Sequence, residues 1–466
     1  MRLRVRRRWF NRRRNEEARD TESPALFSDV PSSRSFAGDV SRETSPKQHP
    51  PTSHKPAPFR FMFHVKRRRR IFTALALAAI PLIAACTSTT GSTGWAPPIP
   101  DIDDENVVII RNDDKKISAI DLKDQTELWR FPGEDDVFPG LADSIEFKAF
   151  YGAPVPLGTD PEEFVVAGEE GGVVYAVRYD GSSARLLFDT EDSIIAGLVV
   201  EGRTIYVATT DKNLYAINAD VPETITWQFQ AFGGALWGTP ALVQTEAFGQ
   251  LLLVPAMDGH IYAIRTDPTL AESERLAWEF SGTNGSIAAN VHVEDGVAYF
   301  GSFDRHFYAV DIETGAEKWS ANGDNWFWSS PLIVGDILYA GDLEGSVWAW
   351  NKTTGNAAWQ APYPAEDEVR SRPVLVNDGD TLLVIAKSGV VHAIDPVTGL
   401  NQWTTVPIDD DVLADTLIVA GRVLVSNDDG DLFEVLFDLD IPTVLPIFPP
   451  LIRRTEQTPP GEPRSN

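Results

Sequence analysis

The stretch FYAVDIETGAEKW, residues 307–319, decides the fold because close copies of it recur along the chain. Two of these copies are VWAWNKTTGNAAW at 347–359 and VHAIDPVTGLNQW at 391–403. Each copy starts as an alternating strand, turns at a Thr-Gly pair and ends on a Trp. A short unit that recurs in this way predicts a repeat protein whose units stack to share one core.

Eight positions align with the aromatic residue of this motif, at spacings between 40 and 57 residues. Two apolar runs precede the motif in most units, the first often carrying Pro, and a turn such as Asp258-Gly259 comes next. Blades of four strands have repeats of about this length. The sequence therefore predicts an all-β, eight-bladed β-propeller of four-stranded antiparallel blades, with seven blades as the alternative. The aligned residues are Ser118, Tyr175, Tyr215, Tyr262, Tyr308, Trp348, His392 and Phe433.

A Trp closes six of the eight units, eleven residues after the motif position in four of them. A large ring at a fixed place in each blade can wedge between neighbouring blades and bury apolar area. We therefore predict a structural role for Trp129, Trp227, Trp278, Trp319, Trp359 and Trp403.

Composition divides the chain into five segments. We predict that residues 1–61 are a disordered basic extension or a mis-assigned start, because Met62 opens an ordinary signal-peptide n-region. A lipoprotein signal peptide at 62–85, a Ser/Thr/Gly tether at 86–94, the propeller at 95–437 and a Pro-rich tail at 438–466 follow. Two ways of closing the ring stay open: residues 438–450 supply the last outer strand, or an N-terminal segment does.

The segment before Cys86 has the features of an export signal. Five basic residues at 66–70 precede about 15 apolar residues, too few for a membrane-spanning helix and enough for a secretory signal. The end of this segment, LIAAC at 82–86, resembles the bacterial lipobox. The resemblance implies cleavage before Cys86, lipidation of its thiol, and export to the bacterial cell membrane or outer membrane. An uncleaved signal anchor is the alternative.

The charge distribution excludes several functions. The formal net charge of the 466 residues is −27, but residues 1–85 are basic, so the remainder has a balance of −39. A segment this acidic repels nucleic acid and anionic lipid head groups, although an Arg-rich nucleic-acid arm is an alternative for residues 1–61. Cys86 is the single cysteine, which excludes a disulfide within the chain.

Chemically active residues do not form a recognisable catalytic set. The acidic clusters lack the ligand spacing of a calcium loop, and no zinc-type set of Cys and His appears. His260 and His306 share one repeat position, and His292 lies near an inner strand, without a visible nucleophile partner. We therefore predict no catalytic residue, no metal site and no cofactor.

The motif resembles the pyrroloquinoline-quinone-type repeat over about residues 95–437. That family includes quinoprotein alcohol dehydrogenases, with a vicinal disulfide, a calcium ion and a catalytic Asp, and BamB-type assembly lipoproteins without catalysis. One cysteine cannot form the vicinal pair, and the layout of signal, tether and single propeller is similar to the BamB type. The resemblance implies an exported, lipid-anchored, monomeric scaffold that binds a protein partner at the cell envelope. The alternatives are an oxidoreductase that binds quinone or sugar in the central funnel, and a sensory ectodomain.

Partner binding is expected on the loops that join each Trp strand to the next inner strand, because these loops differ most between repeats. Large aromatic side chains and Arg, which dominate interface hot spots, are concentrated in three of them. The predicted partner-binding residues are Trp237, Trp326, Phe327, Trp328, Arg370 and Arg372.

Overall fold

Four-stranded antiparallel sheets occur eight times in the computed structural model, and each uses four consecutive strands. The structure describes residues 95–112, 116–132, 149–158, 162–168, 171–408, 410–437 and 441–449. The predicted eight-bladed β-propeller is confirmed, and the seven-bladed alternative is wrong. The predicted extension, signal peptide and tether, with Cys86, lie outside the described residues.

Blades 1 to 4 follow the chain in order from the first described strand. Their strands are β1 (Ile99–Pro100), β2 (Val107–Arg111), β3 (Ile117–Asp121), β4 (Thr126–Phe131), β5 (Val155–Pro156), β6 (Glu163–Ala167), β7 (Val173–Arg178), β8 (Ala184–Asp189), β9 (Val199–Glu201), β10 (Thr204–Ala208), β11 (Leu214–Asn218), β12 (Ile225–Phe229), β13 (Ala241–Thr245), β14 (Gly249–Pro255), β15 (Ile261–Arg265) and β16 (Leu276–Phe280).

Blades 5 to 8 repeat the arrangement. Their strands are β17 (His292–Glu294), β18 (Val297–Gly301), β19 (His306–Asp311), β20 (Glu317–Asn322), β21 (Leu332–Val334), β22 (Ile337–Gly341), β23 (Ser346–Asn351), β24 (Tyr363–Pro364), β25 (Val374–Val376), β26 (Thr381–Ile385), β27 (Val391–Ile394), β28 (Asn401–Thr404), β29 (Leu417–Val419), β30 (Arg422–Ser426), β31 (Leu432–Leu436) and β32 (Thr443–Phe448). Single 3-10 turns at Glu272–Glu274 and Asn377–Gly379 are far too short to cross a membrane, and no other helix of the described residues could do so.

The recurring motif forms the third strand of each blade, and five of the six blade Trp residues lie on the fourth strand, whereas Trp359 precedes β24. Ala309 of β19 pairs with Trp319 of β20, and the register shifts directly after this pair. The same Ala–Trp pair and shift occur in four other blades, so the bulge belongs to the repeat. These pairs are Ala119–Trp129, Ala216–Trp227, Ala263–Trp278 and Ala393–Trp403.

Five of the six blade Trp residues bond to the following blade through the indole N–H. Trp319, for example, donates to the carbonyl of Lys352 at 2.8 Å. Buried apolar clusters also span neighbouring blades, so the core lies between the sheets. The other four bonds run from Trp129 to Tyr179, Trp227 to Thr266, Trp278 to Ile312 and Trp359 to Pro396, at 2.8 to 3.1 Å.

Blade 8 closes the ring against blade 1. Arg111 of β2 is 4% exposed and donates to the carbonyls of Asn427 and Asp428 at 2.8 and 2.9 Å. Arg422 of β30 donates to the carbonyl of Leu122 in return. The outer strand of blade 8 is β32, so the segment after residue 437 supplies it, which decides between the two closures left open by the sequence.

Candidate functional site

A cavity of about 220 Å³ lies at one end of the central channel, and residues from all eight blades line it. It opens among the loops that join each fourth strand to the first strand of the next blade. The hairpins between second and third strands lie at the same end, because neighbouring strands are antiparallel. We call the cavity, the joining loops and these hairpins the mouth. The other end of the channel is the opposite face.

Hydrogen bonds between successive blades encircle the cavity from blade 3 to blade 8. Each joins a residue just before one inner strand to its counterpart in the next blade. This belt fixes the cavity walls to one another without any contribution from a ligand. The bonds are Gly197 N to Thr239 Oγ1 (2.9 Å), Thr239 N to Asn290 Oδ1 (2.8 Å), Asn290 Nδ2 to Ser330 Oγ (3.3 Å), Arg372 Nε to Pro331 O (3.1 Å) and Arg372 N to Asp415 Oδ1 (2.6 Å).

The joining loops are also fixed to the hairpins. In blades 3 to 8 a backbone N–H of the hairpin donates to a carbonyl of the loop entering the same blade. Irregular loops held in this way present their side chains on a rigid support. The six donor and acceptor pairs are Thr210 and Ser193, Met257 and Ala235, Phe303 and Ser286, Leu343 and Trp326, Lys387 and Glu368, and Asp428 and Asp411, at 2.7 to 3.0 Å.

The loop that carries the WFW triplet has an additional anchor in Asp342 of the hairpin. Asp342 is fully buried, and its carboxylate accepts five hydrogen bonds. Because two of them come from the loop and three from the hairpin side, this one side chain couples the two segments. The donors are the backbone N–H groups of Asp324, Asn325, Glu344 and Ser346 and the indole N–H of Trp348, at 2.9 to 3.3 Å.

Half-buried aromatic rings form a continuous cluster at the mouth, centred on Trp328. Trp95 meets this ring edge-on at 5.9 Å with an interplanar angle of 82°, and Trp237 lies at 6.4 Å. Phe303 stacks on Trp328 at 5.6 Å and on Trp326 at 4.7 Å. The cluster therefore joins blades 1, 4, 5 and 6 across the mouth.

Charged side chains adjoin the aromatic cluster. Arg370 lies over the Trp328 ring at 5.3 Å and forms an ion pair with Glu368 at 2.8 Å. Asp415 lines the cavity, and burial raises the pKa of its carboxyl, although the backbone N–H and charge of Arg372 oppose the shift. Burial and the Arg372 charge lower the pKa of His292, so its neutral form is favoured.

The structure brings four of the six predicted partner-binding residues together at the mouth and separates the other two. Trp237, Trp326, Trp328 and Arg370 are half-buried there. Arg372 belongs to the belt, where its guanidinium donates to a backbone carbonyl.

Phe327 is the clear exception, because it is completely buried and cannot touch a partner at the surface. Its ring packs between Phe307 and Trp350, at 5.5 and 5.9 Å. Gly301 and Gly323 leave the space that it fills, since a Cβ on either glycine would collide with it. Its role in the structure is therefore packing between blades.

Sequence reasoning missed Phe303, Tyr151 and Asp415 as residues of the mouth. Phe303 occupies the hairpin position held by Met257 and Leu343 in neighbouring repeats. The available signal was three apolar residues at one hairpin turn position, where polar residues are usual. Tyr151 lies 4.1 Å from Trp95, a contact between blades that no local pattern encodes.

The described residues contain no group of three or more His, Cys, Asp or Glu placed to hold a metal ion. His260 Nδ1 instead lies 2.6 Å from a carboxylate oxygen of Glu279, and His306 Nδ1 lies 3.5 Å from one of Asp304. The shared repeat position of the two histidines thus reflects two separate pairs within their own blades.

The chain is similar to proteins of several activities. Residues 257–440 match the family model described as outer membrane protein assembly factor BamB. The serine/threonine-protein kinase AfsK of Streptomyces coelicolor is 25% identical over 40% of this chain and 20% of its own length. The quinoprotein ethanol dehydrogenase of Pseudomonas aeruginosa is 31% identical over 24% of this chain and 21% of its own. BamB of Shewanella oneidensis is 20% identical over 51% of this chain and 59% of its own.

These matches cover less than two thirds of each relative, and they share the repeat rather than one activity. Among solved structures, BamB from Moraxella catarrhalis superimposes with a TM-score of 0.55 at 17% identity, over 74% of this chain and 98% of that one. This likeness concerns the fold alone. The chain therefore resembles the PQQ-like, BamB-type β-propeller repeat proteins, and the family match itself covers residues 257–440.

Proposed function

We propose that this protein is an exported, lipid-anchored scaffold without catalytic activity, which binds a protein partner through its mouth at the cell envelope. The observation that carries the proposal is the cluster of Trp328, Trp326, Phe303 and Arg370 on loops that are fixed to the hairpins. Aromatic rings and Arg in a preorganised, central and partly desolvated position are typical of interface hot spots.

The anchor is proposed from the sequence. Cys86 follows a basic cluster, an apolar segment and two small residues, and it is the single cysteine of the chain. Lipidation at that position would tether the propeller through the predicted Ser/Thr/Gly segment at 86–94. Replacing Cys86 with Ser should release the protein from the membrane fraction, as measured by fractionation of expressing cells. Retention of Cys86→Ser in the membrane would contradict the anchor.

The partner site is tested by capture from the native envelope. Arg370→Glu and Trp326→Ala should each reduce partner recovery at least about tenfold while the melting temperature stays near that of the parent. Arg178, half-buried and paired with Glu162, and the exposed Leu400 lie on the opposite face. Arg178→Glu and Leu400→Ala make the same kinds of change there and should leave recovery unchanged. Equal recovery with all four variants would contradict the assignment of the mouth.

A quinone-dependent oxidoreductase is the rival that the ethanol dehydrogenase likeness raises. The residues of the mouth do not fit pyrroloquinoline quinone with its calcium ion. Pyrroloquinoline quinone carries three carboxylates, whereas Arg370 is already matched by Glu368 and the cavity itself presents the carboxylate of Asp415. Adding the quinone with calcium to purified protein should give neither a bound chromophore nor dye reduction with alcohols or sugars. Turnover would overturn the scaffold proposal.

A further inference from the structure

Three of the four Trp residues of the mouth line the cavity, and their rings lie at different angles. Trp95 and Trp328 are nearly perpendicular, and Trp237 is inclined by 59° to Trp328. All three line the cavity together with Tyr151. Several ring faces set at steep angles around one small space form an aromatic box, an arrangement that attracts cations through the negative faces of the rings.

Arg370 demonstrates this attraction within the chain itself. Its guanidinium already lies over the outer part of the box, 5.3 Å from the Trp328 ring centre. The positive charge is matched by Glu368 at 2.8 Å, so the Arg370–Glu368 pair adds little net charge to the mouth. The cavity can therefore admit a second cation without an uncompensated repulsion.

Asp415 supplies the negative charge that such a cation needs. Among the described residues, its carboxylate accepts one hydrogen bond, from the Arg372 backbone through Oδ1, and has no side-chain ion pair within 4.0 Å. Burial opposes its ionisation more strongly than Arg372 supports it, as the raised pKa indicates. A cation entering the cavity would relieve this imbalance directly.

The surrounding charge favours the same ligand. The exported part of the chain has a formal balance of −39, which attracts cations over distance. The exposed carboxylate of Glu366 and the half-buried carboxylate of Asp411, which pairs with Lys387 at 3.5 Å, lie on the loops that enter blades 7 and 8 at the mouth. Of the basic residues on those loops, Arg370 and Arg372 are engaged with Glu368 and Pro331.

We propose that the mouth is a cation-binding aromatic box, formed by Trp95, Trp237, Trp328 and Asp415, which receives a Lys or Arg side chain of the protein partner. The identity of the ligand as a partner side chain rests on the proposed scaffold function. The box itself is a property of the isolated propeller. It predicts that the partner presents a basic, not an acidic, contact segment.

The test is a titration of the purified chain with N-acetyl-lysine amide and with N-acetyl-norleucine amide, an uncharged analogue with the same aliphatic stem. Tryptophan fluorescence and calorimetry report binding. The lysine derivative should bind and the norleucine derivative should bind at least about tenfold more weakly. Asp415→Asn and Trp95→Leu should each weaken the lysine derivative about tenfold, whereas Glu223→Gln, which removes one charge at a turn of the opposite face, should not.

Three results would overturn the proposal: no binding of the lysine derivative, equal binding of both derivatives, or unchanged binding by folded Asp415→Asn and Trp95→Leu. Arginine amide is tested in parallel, and binding of either basic derivative supports the box. Selective binding of tetramethylammonium alone would contradict a Lys or Arg ligand. Partner capture from the envelope is measured separately. Capture without cation binding would overturn the aromatic box and leave the scaffold function standing. Cation binding without capture would overturn the scaffold function and leave the box as a property of the isolated propeller.

Discussion

Gly355 lies directly on the indole ring of Trp319, so that the Thr-Gly turn of one blade covers the Trp of the blade before it. The ring also bonds to the carbonyl of Lys352 in the same turn. Gly181, Gly315 and Gly399 make equivalent contacts with Trp129, Trp278 and Trp359. The Gly of the turn and the blade Trp, the two most recognisable residues of the repeat, thus contact each other across neighbouring blades.

Gly355→Ala should destabilise the propeller by about 2 kcal/mol or more, because φ is +71° and the new Cβ would lie 2.7 Å from the Trp319 ring. Gly335→Ala is the matched control, since φ is +57° there but nothing lies within 4 Å. It should cost only the backbone term, about 1 kcal/mol. Urea denaturation gives both values, and equal losses would contradict the role of the Trp contact.

Asp342→Asn should loosen the loop that carries Trp326 and reduce partner capture. A neutral amide cannot accept all five hydrogen bonds, and lost bonds to a buried carboxylate cost about 2 kcal/mol or more. Hydrogen exchange at the amides of Asp324 and Asn325 should accelerate. Glu344→Gln changes an exposed neighbour but keeps an oxygen that can accept from the Asn325 side chain, so it should leave these backbone amides protected. Unchanged exchange in Asp342→Asn would show that the carboxylate does not hold the loop.

Arg111→Met should weaken the closure between blades 1 and 8. The substitution keeps a long apolar stem and removes the two hydrogen bonds to the carbonyls of Asn427 and Asp428, a loss of about 2 to 3 kcal/mol. Denaturant unfolding measures this loss, and proteolysis should cut first near the contact between blades 1 and 8. A variant as stable and as resistant as the parent would mean that apolar packing alone closes the ring.

We expect the free energy of unfolding to differ between the parent and Asp415→Asn in a pH-dependent way. Because burial raises its pKa in the folded state, the folded protein holds this proton more tightly than the unfolded chain does. Its contribution to stability is therefore most favourable below the ordinary Asp pKa of 3.8 and declines as the pH rises through the raised value. Asp415→Asn should be the more stable protein at pH 7, and the difference should vanish near pH 3.5. Thermal unfolding of both proteins across this pH range measures the difference, and a parent more stable than Asp415→Asn at pH 7 would contradict the prediction.

The blades could be predicted from the sequence because their determinants are local. Hairpin residues such as Asp258-Gly259, the Thr-Gly turn and the Trp eleven residues after the motif all act within one unit. The loops of the mouth could be located for a related reason. The strands repeat along the chain, so the segments that differ between repeats fall on the loops that join the blades.

Side-chain roles within the mouth could not be predicted so well. Trp326 and Phe327 are adjacent aromatic residues, and their fates differ because Gly301 and Gly323 leave a space on one side only. Arg370 and Arg372 look alike in sequence, yet the guanidinium of Arg370 lies over Trp328 whereas that of Arg372 donates to the carbonyl of Pro331. Such differences arise from packing between blades, which a single repeat does not contain.

Site-specific photocrosslinking in the native envelope tests the central claim most directly. A photoreactive side chain at Phe303, on the hairpin at the mouth, is compared with one at Leu400, which is 67% exposed on the opposite face. If the mouth binds the partner, position 303 gives a discrete protein adduct and position 400 does not, and Arg370→Glu abolishes the adduct. An adduct of equal yield at Leu400, or one at Phe303 that persists in Arg370→Glu, would contradict the account.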